Sequence, residues 1–320
     1  MRMFKRTAIL QALTNGLTYQ ANTAPVPNAS GSGYYAGGSG PGGVLKSIDR
    51  LDFSTEACAR LSALLASARQ FASGYQSPTK GYVVGQTTSI ESLAFSTEAT
   101  GVLSASTSSA REYGAATQSQ TKGYLGGGGW YSAVIDRLLY STEANTLLSA
   151  TLAKARNMLN TVCSDTKGIF VSGFNGTFCY DTDDFTFSTE TRSATGSLPV
   201  YRRRIGATVQ SATRGYLCGG ITVLNEGTST YGDLAEIDSV VLSTNTWTKL
   251  SAVLSTTKNN LSGTSSKTKG YLYGGAKSYP GGPFPTSVDS LAFATETSSV
   301  SSAVLPAAYS VNPAGLSHAL

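Results

Sequence analysis

A Gly-Tyr pair in a short polar-to-apolar segment returns down the chain at a nearly constant interval, and this recurrence limits the fold more than any other feature. The copies are GSGYYAGG from Gly31, TKGYVVGQ from Thr79, TKGYLGGG from Thr121, TKGIFVSG from Thr166, TRGYLCGG from Thr213 and TKGYLYGG from Thr268. Their aligned glycines, Gly33, Gly81, Gly123, Gly168, Gly215 and Gly270, are spaced by 48, 42, 45, 47 and 55 residues. A period of this length is that of a four-stranded propeller blade. A glycine loop built to cradle a phosphate serves one ligand, so six copies read the stretch QSQTKGYLGGGG at 117–128 as repeated architecture.

A second signature follows each copy: SIDRLDFSTEA from Ser47, SIESLAFSTEA from Ser89, VIDRLLYSTEA from Val134, DTDDFTFSTET from Asp181, EIDSVVLSTNT from Glu236 and SVDSLAFATET from Ser287. Leu51 and Phe53 alternate with polar neighbours, the period-2 pattern of a strand, and Ser-Thr-Glu supplies a tight turn. A third apolar segment, RLSALL in the first copy, ends at a basic residue: Arg69, Arg111, Arg156, Arg203 or Arg204, and Lys258. Each repeat therefore reads as an antiparallel meander. Strand a follows the basic residue, b runs from Gly-Tyr to Gly-Gly, c is the Ile-Asp segment and d the Leu-Ser-Ala segment.

The expected fold is all-β: a six-bladed β-propeller of four-stranded antiparallel blades over residues 29–320, with an N-terminal arm at 1–28. The first copy lacks its own strand a. We expect the C-terminal residues to supply it and close the ring, removing free sheet edges; the competing donor is LTYQANTAP from Leu17.

Composition narrows the function. Charged residues make up 13% of the chain, about half the usual share, and tyrosines number 17, which suits a β-rich surface of neutral polar groups. The net charge of +5 arises from Arg2, Lys5 and Arg6 in the arm and the extra arginines of YRRR at 201–204, and the remaining charges are spread among the repeats. That distribution lacks the basic face with stacking aromatics that nucleic acid requires. No run approaches the ~18 apolar residues of a membrane span. The opening MRMFKRTAILQALTNG has a basic start, but its apolar stretch is short and holds Gln11, so an arm is expected in place of a signal peptide. Cys58, Cys163, Cys179 and Cys218 occupy unrelated repeat positions without CxxC spacing, which points to buried thiols and away from zinc or a disulfide framework.

The fifth copy, DSVVLSTNTWTKLSAVL with Gly219-Gly220 upstream, resembles the kelch repeat, and Trp247 fills the kelch Trp position. The pairing of TKGYxxGG with IDxLxFSTE is also similar in style to repeats in structural proteins of tailed bacteriophage particles. That resemblance implies a virion or tail component whose partners are other structural proteins of the assembly, with a host-surface protein or glycan as a further contact.

Meander topology places Lys80, Lys122, Lys167, Arg214 and Lys269 on one face with Glu56, Glu98, Glu143, Glu190 and Glu296, where ion pairs are expected. The opposite face receives Asp49, Glu91, Asp136, Asp183, Asp238 and Asp289 at the start of strand c, with Arg69, Arg111 and Arg156 at the start of strand a, as blade-to-blade bridges. The tyrosines of strand b, Tyr34, Tyr82, Tyr124, Tyr216 and Tyr271, are expected between blades.

Catalysis has little to work with. The only histidine is His318, which removes Ser-His-Asp and Cys-His chemistry and the two-histidine copper site of kelch-related oxidases. No copy carries the SxDxGxTW box of sialidase propellers. The acids recur at fixed repeat positions, as scaffold residues do, although paired carboxylates for glycoside hydrolysis are a third reading. DTDD at 181–184 lacks EF-hand spacing, and neither a metal nor a cofactor is expected. Differences between copies say more. The b-to-c loops grow from TTS at Thr87 to long insertions at Ile221 and Ala276, and they carry Trp130, Tyr131, Phe174, Phe178, Tyr180, Tyr231, Tyr279 and Phe284. Aromatic rings among Gly, Ser and Asn suit a protein or glycan contact. The arm, with Arg2, Phe4, Lys5 and Arg6, is the expected anchor to the assembly. The main alternative is a secreted, extracellular glycan-binding propeller.

Overall fold

Each repeat does form one four-stranded antiparallel sheet, and the six sheets are the blades of a β-propeller in the computed structural model, which describes residues 31–197, 206–223, 231–276, 285–306 and 313–317. Blade 2 shows the plan, with strands a to d at Ser73–Gln76, Lys80–Gly85, Thr87–Ala94 and Thr100–Ser106. Blades 3 and 4 begin at Ala115–Gln118 and Asn160–Cys163, and blades 5 and 6 at Ala207–Gln210 and Asn259–Ser265. Blade 1 takes Ala314–Ser317 as strand a beside Ser32–Ala36, Ser47–Asp52 and Cys58–Leu64. The register runs from Gly33 opposite Ser317 to Ala36 opposite Ala314, so the C-terminal segment closes the ring.

Two details differ from the sequence reading. The b-to-c turn of blade 2 is tighter than three residues: Gln86 alone separates the strands, at a φ of 64°. The recurring basic residue does not start strand a but lies in the connector before it, as Arg69 does before Ser73, or ends strand d, as Arg156 does.

The recurring glycine is explained by space. A Cβ on Gly123 would lie 2.2 Å from the Tyr75 ring, and one on Gly33, Gly81, Gly168, Gly215 or Gly270 would meet Thr264, Leu316, Thr117, Val162 or Val209. In every case the obstacle is strand a of the preceding blade. The glycine lets consecutive sheets nest, and phosphate chemistry has no part in it.

Strands a line the axis, and their last residues tie into one belt. The amides of Ser317, Gln76, Cys163, Gln210 and Ser265 donate to the side chains of Gln76, Gln118, Gln210, Ser265 and Ser317. Each bond joins a blade to the next, at the seams 1–2, 2–3, 4–5, 5–6 and 6–1.

Three further layers fill the seams. The strand-b tyrosine stacks on an aromatic of the next blade: Tyr34 on Phe95, Tyr82 on Tyr140, Tyr124 on Phe187, Tyr216 on Phe293 and Tyr271 on Phe53, with centroids 5.5, 5.3, 5.4, 5.3 and 5.4 Å apart. Burying about 150–250 Å² of each ring is worth roughly 4–6 kcal/mol gross. Outside this layer, Lys80 meets Glu143, Lys122 meets Glu190 and Lys269 meets Glu56, each at 2.7 Å, and Arg214 meets Glu296 at 3.5 Å. Blade 1 has no such lysine, and Arg50 of its strand c takes the place, 2.9 Å from Glu98. Exposed pairs of this kind give about 0–1 kcal/mol, so ring packing dominates.

The third layer is buried. Arg69 pairs with Glu91 and Arg156 with Asp183 at 2.8 Å, and Arg111 with Asp136 and Lys258 with Asp289 repeat the contact. The same carboxylates accept amide N–H groups from the connector, as Glu91 does from Ala66 and Ser67. Arg203, Arg204 and the arm lie outside the described residues. Cys163, Cys179 and Cys218 are buried and form no disulfide, and Cys58 is half-buried.

Candidate binding face

The loop that carries Trp130 is pinned. Gly128 N–H donates to Arg156 O, Gly129 N–H to Glu112 O, Ser132 N–H to Gly128 O, and the Asn157 side-chain amide to Gly129 O, at 2.9, 2.7, 2.9 and 2.8 Å. Gly128 has a φ of 94°, and a Cβ there would lie 2.8 Å from both Glu112 O and Gly114 N. The glycine run GGGG thus lets the backbone press against the neighbouring connector and hold Trp130 outward. That ring is 99% exposed, and Tyr131 beside it is 38% exposed.

Blade 4 contributes the rest of the patch. Tyr131 meets Phe174 edge-on at 6.0 Å, and Phe174 meets Phe178 edge-on at 5.7 Å. Asn157 and Phe174 exchange both backbone hydrogen bonds at 2.9 and 2.8 Å, fixing the loop to the connector. Tyr180 is exposed at the end of the same loop. The structure therefore brings together Trp130, Tyr131, Phe174 and Phe178. Tyr231 begins a short strand, Tyr231–Asp233, that pairs with Ile221–Val223 in the blade 5 insertion. Tyr279, Phe284, Arg2, Phe4, Lys5 and Arg6 lie outside the described residues.

Sequence reasoning missed a second group. Two residues beyond the buried basic residue, Phe71, Tyr113 and Met158 take φ values of 52°, 57° and 55°, a conformation that costs a bulky side chain about 1–3 kcal/mol and concentrates at functional positions. Their backbones are linked in series, Tyr113 N–H to Phe71 O at 3.1 Å and Met158 N–H to Tyr113 O at 2.8 Å. Phe71 and Tyr113 stack at 3.9 Å. A recurring large side chain at a fixed offset from Arg was the available signal.

Between the two groups lies a cleft of about 510 Å³ lined by Gln86, Glu112, Tyr113, Trp130, Tyr131, Asn157, Met158 and Phe174, among others. Among the described residues, Glu112 is the single carboxylate that lines it, and no lysine or arginine does. The axial channel differs. Its larger space, about 130 Å³, is walled mainly by Gly, Ala, Ser and Thr at and beside strands a, with no charged residue among the described lining. A smaller space of about 100 Å³ follows at the belt, where burial pushes the Cys163 thiol up.

The DTDD acids are separately engaged: Asp181 by Lys154, Asp183 by Arg156 and Asp184 by Lys167. Among the described residues no three His, Cys, Asp or Glu side chains form a metal-binding group, and no helix is long and apolar enough to cross a membrane.

No protein-family model and no curated protein matches the sequence. Among solved structures, the one titled "Structure of YjhT" is similar with a TM-score of 0.56 at 16% identity, covering 66% of this chain and 73% of that one. The likeness is one of fold.

Proposed function

We propose that this chain is a non-enzymatic binding propeller built into a larger assembly, a virion or tail particle, and that it makes its outward contact through the aromatic face of blades 2–4. The observation that carries the reading is Trp130: a ring 99% exposed on a loop fixed by four hydrogen bonds. A rigid aromatic presents contact area at low entropic cost. Among the described residues the cleft below it holds one carboxylate, where glycoside hydrolysis uses two, which favours binding over turnover. The place in a particle rests on the repeat style and on the basic arm, with Arg2, Phe4, Lys5 and Arg6 as the anchor.

Light scattering tests the proposal. The full chain and a form lacking residues 1–28 are each measured alone and mixed with the assembled particle. Both should fold, and the full chain alone should join the particle. Equal behaviour of the two forms would remove the arm from the account.

A secreted glycan-binding propeller is the second reading. The polar groups beside Trp130, Gln86, Glu112 and Asn157, are the observation in its favour.

A further inference from the structure

We infer that the cleft at the foot of Trp130 binds a neutral pyranose sugar, free or as the terminal unit of a glycan, an inference that rests on the aromatic face being the contact surface. Trp130, Tyr131 and Phe174 line the cleft with ring surface, and Gln86, Glu112 and Asn157 line it with polar groups. A pyranose has the same division, a C–H face and a hydroxyl edge.

The polar set is mixed in a way that hydroxyls match, since each both donates and accepts. Gln86 uses its amide oxygen to accept Gln70 N–H at 2.7 Å, which leaves its NH2 to donate. Asn157 is the reverse. Its NH2 is committed to Gly129 O at 2.8 Å, and its buried oxygen has no protein partner. Glu112 accepts only, and among the described residues no cation stands within ion-pair distance of it.

The same set disfavours other ligands. A quaternary ammonium would use the rings and Glu112, but would leave the Gln86 donor unmatched. A phosphate or an acidic sugar would meet Glu112 with no lysine or arginine among the described lining residues to offset it. The cleft volume, about 510 Å³, falls within the range of small-ligand sites. Preorganisation completes the case, because the Gly128–Gly129 hydrogen bonds fix the loop before any ligand arrives.

The chain has two tryptophans, Trp130 and Trp247, so a Trp247→Phe variant reports on Trp130 alone. Its fluorescence is titrated with methyl glucopyranoside, galactopyranoside, mannopyranoside and N-acetylglucosaminide, with glucuronate and tetramethylammonium as charged probes. Saturation-transfer NMR on the unsubstituted full chain repeats the panel without relying on that variant. At least one neutral glycoside should give a saturable shift with a Kd on the order of 1 mM. Trp130→Ala should abolish the NMR transfer, and Glu112→Gln should weaken binding roughly tenfold. Saturation by tetramethylammonium or glucuronate without any neutral glycoside would overturn the inference, as would silence across the panel in both measurements. Particle association measured in parallel separates the two claims. If Trp130→Ala blocks association while no sugar binds, the contact surface stands and the sugar site falls. If sugar binds through Trp130 while association ignores that residue, the sugar site stands and the particle contact falls.

Discussion

Lys269 of the last blade lies 2.7 Å from Glu56 of the first, so an ion pair between residues 213 apart in sequence spans the seam beside the closing strand. Tyr271 and Ser301 hydroxyls donate to the same carboxylate at 3.1 and 2.6 Å. Glu56 has a φ of 53°, and Glu98, Glu143, Glu190, Asn245 and Glu296 share that conformation at the same turn. A position at which glycine would be the easy choice carries a carboxylate in five blades, held by its neighbours.

The first prediction concerns acid. Burial acts to raise the Glu56 pKa, but the hydrogen bonds from Lys269, Ser301 and Tyr271 outweigh it and hold the carboxyl down at about 2. A depressed folded pKa gives stability that is complete above the unfolded value and is lost as pH falls through the folded one. Unfolding free energy should therefore decline between about pH 4.5 and about 2. With part of the site solvent-screened, Glu56 should account for about 1–2 kcal/mol of this fall. Denaturant titrations across that window, with Glu56→Gln as the comparison, should show a flatter profile in the variant.

The blade 4 to blade 5 seam is the exception that tests the rule. Ile169 replaces the tyrosine, Leu242 the aromatic and Asn245 the glutamate, and the first two join an aliphatic cluster with Val162 and Leu217. Lys167 turns instead to Asp184 at 2.5 Å and to Asn245 at 2.7 Å, while Asn245 donates to Asp184 at 2.7 Å. Asn245→Glu alone should destabilise by about 1 kcal/mol through like charges at contact. Adding Asp184→Ser, the residue of blades 5 and 6 at that position, should recover most of it. A double-mutant cycle in urea reads the coupling; additive effects would refute it.

Much of this was legible beforehand. Repetition revealed the blades, the missing first strand a pointed to closure at Ala314–Ser317, and the alternation around Leu51 placed strand c. Which lysine meets which glutamate was not legible, because it depends on how consecutive sheets nest. Nor was the site complete. Trp130 and Tyr131 stood out by type, but Gln86, Glu112 and Asn157 join them only through the approach of three blades. Phe71, Tyr113 and Met158 were hidden by their varied chemistry, although their offset from Arg69, Arg111 and Arg156 is constant.

Buried latches should be costly to break. Arg69 is fully buried and donates to Glu91, Ser89 and Gly85 O. Arg69→Met should cost about 3–5 kcal/mol, because Glu91 stays buried without its cation. Adding Glu91→Leu should recover part of the loss and no more, since Ala66 and Ser67 N–H then lack their acceptor. Full recovery in thermal unfolding would contradict this account.

Ring closure makes the C-terminal strand decisive. Leu316 is 1% exposed and fills the space left by Gly74 and Gly81 of blade 2. Leu316→Ala should cost about 2–5 kcal/mol by leaving a cavity at the seam. Removing residues 313–320 should do more, since Ser32–Ala36 becomes a free edge beside an unfilled axis. Sedimentation should then show concentration-dependent association that the full chain does not show.

Gly128 and Gly42 give opposite expectations for one substitution. A methyl group on Gly42 meets nothing within 4 Å, whereas one on Gly128 meets backbone at 2.8 Å and must also adopt a φ of 94°. Gly42→Ala should change stability by less than about 0.5 kcal/mol. Gly128→Ala should cost about 1–3 kcal/mol, and relieving the clash pulls the loop from Glu112 O and displaces Trp130. Chemical denaturation measures the first effect. The second appears as weaker contact through the aromatic face with Trp130 still present, which distinguishes a positioned ring from one that is merely exposed. If Gly128→Ala kept full binding, preorganisation of the loop would be the wrong explanation for Trp130.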